Sequence, residues 1–125
     1  MPETLLDTTY FSATCIDGIV ELQYKDGIYI TLAVAKKIVQ ERLELFGDAT
    51  YLLLYKTSKL KGMDRAARQY LFSEGLKNIK VIALVHGNKV GQMLATFMIA
   101  FKKLPIPCKT FHTHEEARVW LKNFS

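Results

Sequence analysis

Two stretches of this chain are apolar with no regular polar beat, and they limit what it can become. Residues 51–55 are apolar throughout, and residues 79–85 are interrupted only by Lys80. A strand with one wet face alternates, so a continuous apolar run marks a strand covered on both faces. Each run is followed by a segment with helical periodicity. Buried strands alternating with helices imply a sheet whose parallel neighbours are joined by short right-handed crossovers. A third unit of this kind closes the chain. Pro107, Cys108, Lys109, Thr110 and Phe111 read as a strand, and Thr113 and Glu116 stand at capping-box spacing where a helix begins. Ala117, Trp120, Leu121 and Phe124 fall on one side of that helix, with Arg118 and Lys122 outside.

The first part of the chain follows a different rule. Residues 10–16 and 19–24 are strand-like and are joined by Asp17-Gly18, a short hairpin signal. Lys25-Asp26-Gly27 forms a second turn, and residues 28–30 read as a third antiparallel strand. Thr31 is placed to cap an amphipathic helix over residues 32–46, which Gly47 closes. Residues 56–62 are a loop of basic and small residues. Asp64 is placed to cap a helix that runs to Glu74 and stops at Gly75. Residues 90–101 are helical, and Pro105 and Pro107 prevent continuation past Leu104. The expected fold is α/β: one mixed sheet, antiparallel first and parallel afterwards, with about four helices.

At 125 residues the chain is expected to be one domain with a sizeable core. The longest apolar stretch, residues 93–101, is too short to span a bilayer. Glu3 and Asp7, with no basic residue before an apolar run, do not make a signal peptide. Cys15 and Cys108 are expected to be free thiols in a reducing cytoplasm, since a lone pair is no disulfide framework. The net charge of +5 is spread over Lys36-Lys37, residues 59–68 and Lys102-Lys103, with no aromatic motif for stacking bases. It is read as a solvated basic face, and no nucleic-acid partner is expected.

The order of elements resembles the STAS domain, the fold of bacterial anti-sigma factor antagonists and of sulfate-transporter cytoplasmic tails. More closely it resembles the small STAS-like, or SpoIIAA-like, bacterial proteins of unknown function. Four stretches carry the resemblance: residues 26–31 before the first helix, residues 63–71, residues 80–85, and the closing cassette of residues 111–121. The resemblance implies fold more than activity. In the antagonists, the loop before the second helix carries an Asp-Ser-Ser/Thr-Gly motif whose hydroxyl is phosphorylated. Here that stretch is Thr57-Ser58-Lys59-Leu60-Lys61-Gly62-Met63-Asp64, and Asp64 already places a negative charge at the helix start. Thr57 and Ser58 are the only phosphorylation candidates, and ordinary loop residues are the simpler account of both.

No catalytic constellation appears. His86, His112 and His114 lack the helical spacing or the cysteine partners of a metal site. Cys108 and His112 lie on one strand face if the strand extends that far, but the spacing is common. The turn from His86 to Gly91 opens a helix after a buried strand, without the spacing of a phosphate loop. Arg42 falls inside the apolar stripe of Ala35, Ile38, Val39, Leu45 and Phe46. Either its stem lies over the edge of the core and its charge reaches solvent, or its guanidinium is buried and aimed at a carboxylate of a ligand or partner. Phe72 falls with Arg65, Arg68 and Gln69, opposite Ala67, Tyr70 and Leu71. That is the composition of an interface, or of a helix packed on both sides.

The expectation is a non-enzymatic cytoplasmic module acting by protein–protein contact, as a homodimer or on another protein, with no cofactor and no metal. The antagonists meet their kinases through the second helix, which implies Lys59, Lys61, Asp64, Arg65, Arg68 and Phe72 as the contact surface. The alternative is a small apolar or anionic ligand, lipid-like or nucleotide. It would sit by the helix of residues 90–101, where Val90, Met93, Phe97 and Phe101 make a broad apolar stripe, with Arg42, Gly87, Asn88, Met93 and Phe97 as its site.

Overall fold

A computed structural model describes residues 3–57, 60–86 and 104–125. Six strands form one sheet in the order β1-β2-β3-β5-β7-β8: β1 (Glu3–Asp7), β2 (Phe11–Ile16), β3 (Ile19–Tyr24), β5 (Tyr51–Lys56), β7 (Ile79–Val85) and β8 (Cys108–Phe111). The pairs β1–β2 and β2–β3 are antiparallel, and β3–β5, β5–β7 and β7–β8 are parallel. This is the mixed sheet expected from the opening hairpin and the two apolar runs. Three α-helices are described: α1 (Leu32–Phe46), α2 (Arg65–Leu71) and α3 (His114–Lys122). The helix expected over residues 90–101 lies outside the described residues.

Local signals placed most of the boundaries. Asp17 and Gly18 both have positive φ, 53° and 77°, which is the twist a two-residue hairpin between Ile16 and Ile19 requires. Thr31 Oγ1 accepts from the Val34 amide at 3.3 Å, and the Gly47 N–H returns to the Leu43 carbonyl at 2.8 Å. In the closing cassette, Thr113 Oγ1 accepts from the Glu116 amide at 3.2 Å and donates to the Glu116 carboxylate at 2.9 Å. Lys80, the one polar residue in its run, is exposed where the β5–β7 register slips between Tyr51 and Leu52.

Three expectations are corrected. Glu3–Asp7 adds a strand at the antiparallel edge that the sequence did not announce. Tyr29 and Ile30, read as a third antiparallel strand, instead form β4, which pairs in parallel with β6 (Gly62–Met63) in a separate two-stranded sheet. The second helix ends at Leu71. Gly75 is not its stop but lies inside a 3₁₀ turn, Glu74–Leu76.

The sheet has two unequal faces. On one, α1 and α2 cover a core that includes Val20, Leu22, Tyr24, Leu53, Tyr55 and Ile82. On the other, α3 sets Ala117 and Leu121 against Ile19, Leu52, Leu54, Val81 and Ala83. Alternation along β3 sends Val20, Leu22 and Tyr24 to the first face and Ile19 and Glu21 to the second. No helix among the described residues is long and apolar enough to cross a membrane.

Candidate functional site

The loop before α2 is pinned to the core on both sides of residues 58–59. Thr57 and Leu60 are buried, at 0% and 3% exposure. The Thr57 hydroxyl donates to the Val85 carbonyl at 3.2 Å, and the Leu60 amide donates to the Thr57 carbonyl at 3.1 Å. A hydroxyl so enclosed is closed to a kinase, which removes Thr57 as a phosphorylation candidate. Ser58 and Lys59 lie outside the described residues. The chain then forms β6 against β4. The Lys61 amide donates to the Ile28 carbonyl at 2.8 Å, and the Asp64 amide to the Ile30 carbonyl at 3.0 Å.

This small ribbon has one dry side and one wet side. Ile30 and Met63 are buried, while the Tyr29 ring is 50% exposed. That ring lies on the Gly62 backbone. A Cβ at Gly62 would come within 2.7 Å of its carbons, so the missing side chain is what lets the aromatic settle there. Lys61 and Arg65 are exposed on either side of Gly62 in sequence, and Arg68 is half-buried one turn further along α2. Asp64 is committed to its cap, accepting from the Ala67 amide at 2.7 Å.

Phe72 does not belong to this surface. It is 4% exposed and packs in the main core. Its amide still donates to the Arg68 carbonyl at 3.2 Å, so Phe72 keeps its place on the arginine side of the helix, and that side is packed there, the second of the two readings its position allowed. The exposed aromatic is Tyr29, brought to the loop by a parallel pairing between distant segments.

Arg42 is fully engaged by the protein's own acceptors. At 3% exposure, its Nη1 donates to the Tyr51 hydroxyl and to the Lys77 carbonyl at 3.2 Å, and its Nη2 donates to the Gly75 carbonyl at 2.8 Å. The stem does not lead the charge to solvent; the guanidinium is buried. It ties α1 to the 3₁₀ turn and to the start of β5, with no carboxylate in the set. The cavity beside it, also lined by Tyr55 and Leu71, measures about 20 Å³, which is room for one water and not for a ligand. Gly87, Asn88, Met93 and Phe97 lie outside the described residues.

On the other face stands a buried ionic cluster that the sequence did not suggest. Glu21 is 7% exposed. Its Oε2 receives Arg118 Nη1, its Oε1 lies 3.2 Å from Lys56 Nζ, and His114 Nε2 is 3.0 Å from Oε1 but off the axis of a well-formed hydrogen bond. Arg118 Nη2 also donates to the Ile16 carbonyl at 2.9 Å and lies 3.7 Å from Asp17. Burial raises the Glu21 pKa, but contact with His114 and Lys56 outweighs it and holds the carboxyl below its ordinary value. Arg118, expected outside the helix's apolar side, is thus turned in toward β3. The signal was available: Glu21 is the one charge in an otherwise apolar-rich strand. Its partners on α3, however, lie up to 97 residues away.

The cysteine and histidine candidates separate. Burial pushes the Cys108 thiol up to about 12, away from the thiolate that nucleophilic chemistry uses. β8 stops at Phe111, leaving His112 exposed beyond it, with its ring 4.9 Å from that of His86. His114 is drawn away to Glu21. Both cysteines are free, and among the described residues no three His, Cys, Asp or Glu side chains gather to hold a metal ion.

An antiparallel start, parallel βα units and a capped second helix define the SpoIIAA-like class of mixed α/β folds. A crystal structure of an uncharacterized protein from the DUF3478 family with a SpoIIAA-like fold, from Shewanella loihica PV-4, is similar at a TM-score of 0.60, covering 89% of this chain and 91% of that one. Sequence identity is 16%, so the likeness is one of fold alone. Residues 13–125 match the family described as Domain of unknown function (DUF7793), and the chain belongs to that family. No curated protein matches it.

Proposed function

We propose that this chain is a non-enzymatic interaction module that binds a protein partner through the surface at the start of α2. Lys61, Arg65 and Arg68 supply cationic contacts, with Lys59 beside them in sequence, and Tyr29 takes the aromatic role first given to Phe72. The carrying observation is the half-exposed Tyr29 ring resting on Gly62. A half-exposed tyrosine beside exposed lysine and arginine has the composition of an interface hot spot. Asp64 sets the geometry of this surface through its cap rather than by touching the partner. An acidic partner surface would meet these cations.

The alternative of a small ligand draws nothing from Arg42, whose Nη1 and Nη2 already donate to the protein's own acceptors. The test is affinity capture with cross-linking in cells that make the protein. Tyr29→Ala and Arg65→Glu are each expected to reduce the captured partner by about tenfold or more, with the unfolding midpoint unchanged. Gly62→Ala, which displaces the ring without removing it, is expected to act in the same direction. Capture at wild-type level by all three variants would remove this surface from consideration.

A further inference from the structure

On the opposite edge of the molecule, α3 presents a stripe that nothing in the fold uses. Val119 is 67% exposed, the most exposed large apolar side chain among those described. Beside it Trp120 is held between Phe111 and Phe124, with ring centroids 5.5 Å and 4.9 Å away, making a rigid apolar shoulder next to β8, the outermost strand. Glu115 and Lys122 are exposed on the same stripe, four residues before Val119 and three after it. Positions at this spacing share one helix face.

We infer that this stripe is a self-association surface, and that its occupant is α3 of a second copy of the chain. The reason is charge complementarity under a twofold axis. When two copies of the helix meet antiparallel with Val119 near the axis, position 115 of each faces position 122 of the other. Glu115 then meets the partner copy's lysine at both ends, and the two valines and flanking tryptophans close the centre. A parallel arrangement would place like charges together. Neither Glu115 nor Lys122 forms an ion pair among the described residues, so both are available. The residues turned inward by α3, namely Ala117, Leu121, His114 and Arg118, are already engaged and leave this stripe as its outer face.

The nine-residue helix is about 13 Å long, so the contact is smaller than a standard interface. The dimer is accordingly expected to be weak, with Kd on the order of tens of micromolar. This inference does not depend on the α2 surface.

Sedimentation equilibrium of the full chain from about 10 to 500 µM tests it. The expected results are reversible dimerisation by the wild type and at least a tenfold rise in Kd for Val119→Glu. Lys122→Glu alone places carboxylates opposite each other, and Glu115→Lys alone places amines opposite each other. Each variant by itself is expected to be monomeric, and an equimolar mixture of the two is expected to dimerise, because every 115–122 contact is then of opposite sign. The mixture also guards against misfolding, since only folded chains recover. A wild type that stays monomeric to 500 µM overturns the inference. So does a dimer indifferent to Val119→Glu, or a mixture that fails to recover although both variants melt like the wild type.

Discussion

Among the described residues, each face of the sheet buries one charged side chain almost fully, and the two are held in opposite ways. Beneath α1 and α2, Arg42 is satisfied by two backbone carbonyls and a phenol, all uncharged acceptors. Beneath α3, Glu21 is paired with Arg118 and Lys56, both cationic, with the His114 ring beside them. The faces also differ in apolar support. Among the described residues, 21 buried side chains form the α1/α2 core and seven form the α3 core. The larger core carries its helices by burial, with Arg42 fixing where the 3₁₀ turn sits. On the smaller one, Trp120 and Phe124 add partly buried packing to Ala117 and Leu121, and the ionic cluster ties α3 to β3 and β5. Position on the first face is a matter of hydrogen-bond geometry, and on the second a matter of charge.

The sharpest way to break this contrast is to remove Arg42. Arg42→Met keeps much of the stem but strips the guanidinium, leaving the Gly75 and Lys77 carbonyls and the Tyr51 hydroxyl without their donor. The expected cost is about 3 kcal/mol, or roughly a 10 °C fall in Tm. Arg42→Lys is expected to recover less than half of it, because one ammonium cannot reach three divergent acceptors as a planar fork does. Thermal unfolding followed by circular dichroism reads both. A loss for Arg42→Met below about 1 kcal/mol would make the guanidinium incidental to the core.

Glu21→Gln is expected to cost less, about 1–2 kcal/mol, because its partners retain some solvent while Arg118 keeps the Ile16 carbonyl. The damage should also be local. Hydrogen exchange is expected to quicken in α3, at amides such as those of Leu121 and Lys122, while the amides of α1 hold their protection. Equal quickening of both helices would show that the two faces are not independently held.

What was legible in the sequence follows the range of the interaction that carries it. The Asp17-Gly18 hairpin, the Gly47 stop, the Asp64 cap and the Thr113–Glu116 start are each decided within a few residues, and each is present. The buried strands were legible because coverage on both faces erases alternation. The pairing of β4 with β6 was not, since two-residue strands have no periodicity to read. Arg42 stood out as an anomaly in its stripe, but its acceptors on Gly75 and Lys77 are backbone atoms, which every residue has. Phe72 was read on the arginine side of the second helix, where an interface and a second packed side both fitted it, and its burial in the main core selects the packed side. The surface proposed at α2 therefore keeps the cations read from the sequence and takes Tyr29 in place of Phe72.

The smallest expected effect separates the two buried charges most cleanly, because it is a difference of differences. Glu21 has a folded pKa below its ordinary value, so its ionised form contributes stability above the unfolded pKa of about 4.3, and that contribution is lost as pH falls through the folded pKa. The gap in unfolding free energy between wild type and Glu21→Gln should then be full at pH 7 and narrower at pH 3. Two of the acceptors of Arg42 are carbonyls and burial raises the third, the Tyr51 hydroxyl, above its ordinary value, so the gap between wild type and Arg42→Met should be the same at both pH values. Urea unfolding of the three proteins at pH 7 and pH 3 measures both gaps. A Glu21→Gln gap that fails to narrow would mean that α3 is held by packing rather than by charge, and the contrast between the faces would reduce to one of core size.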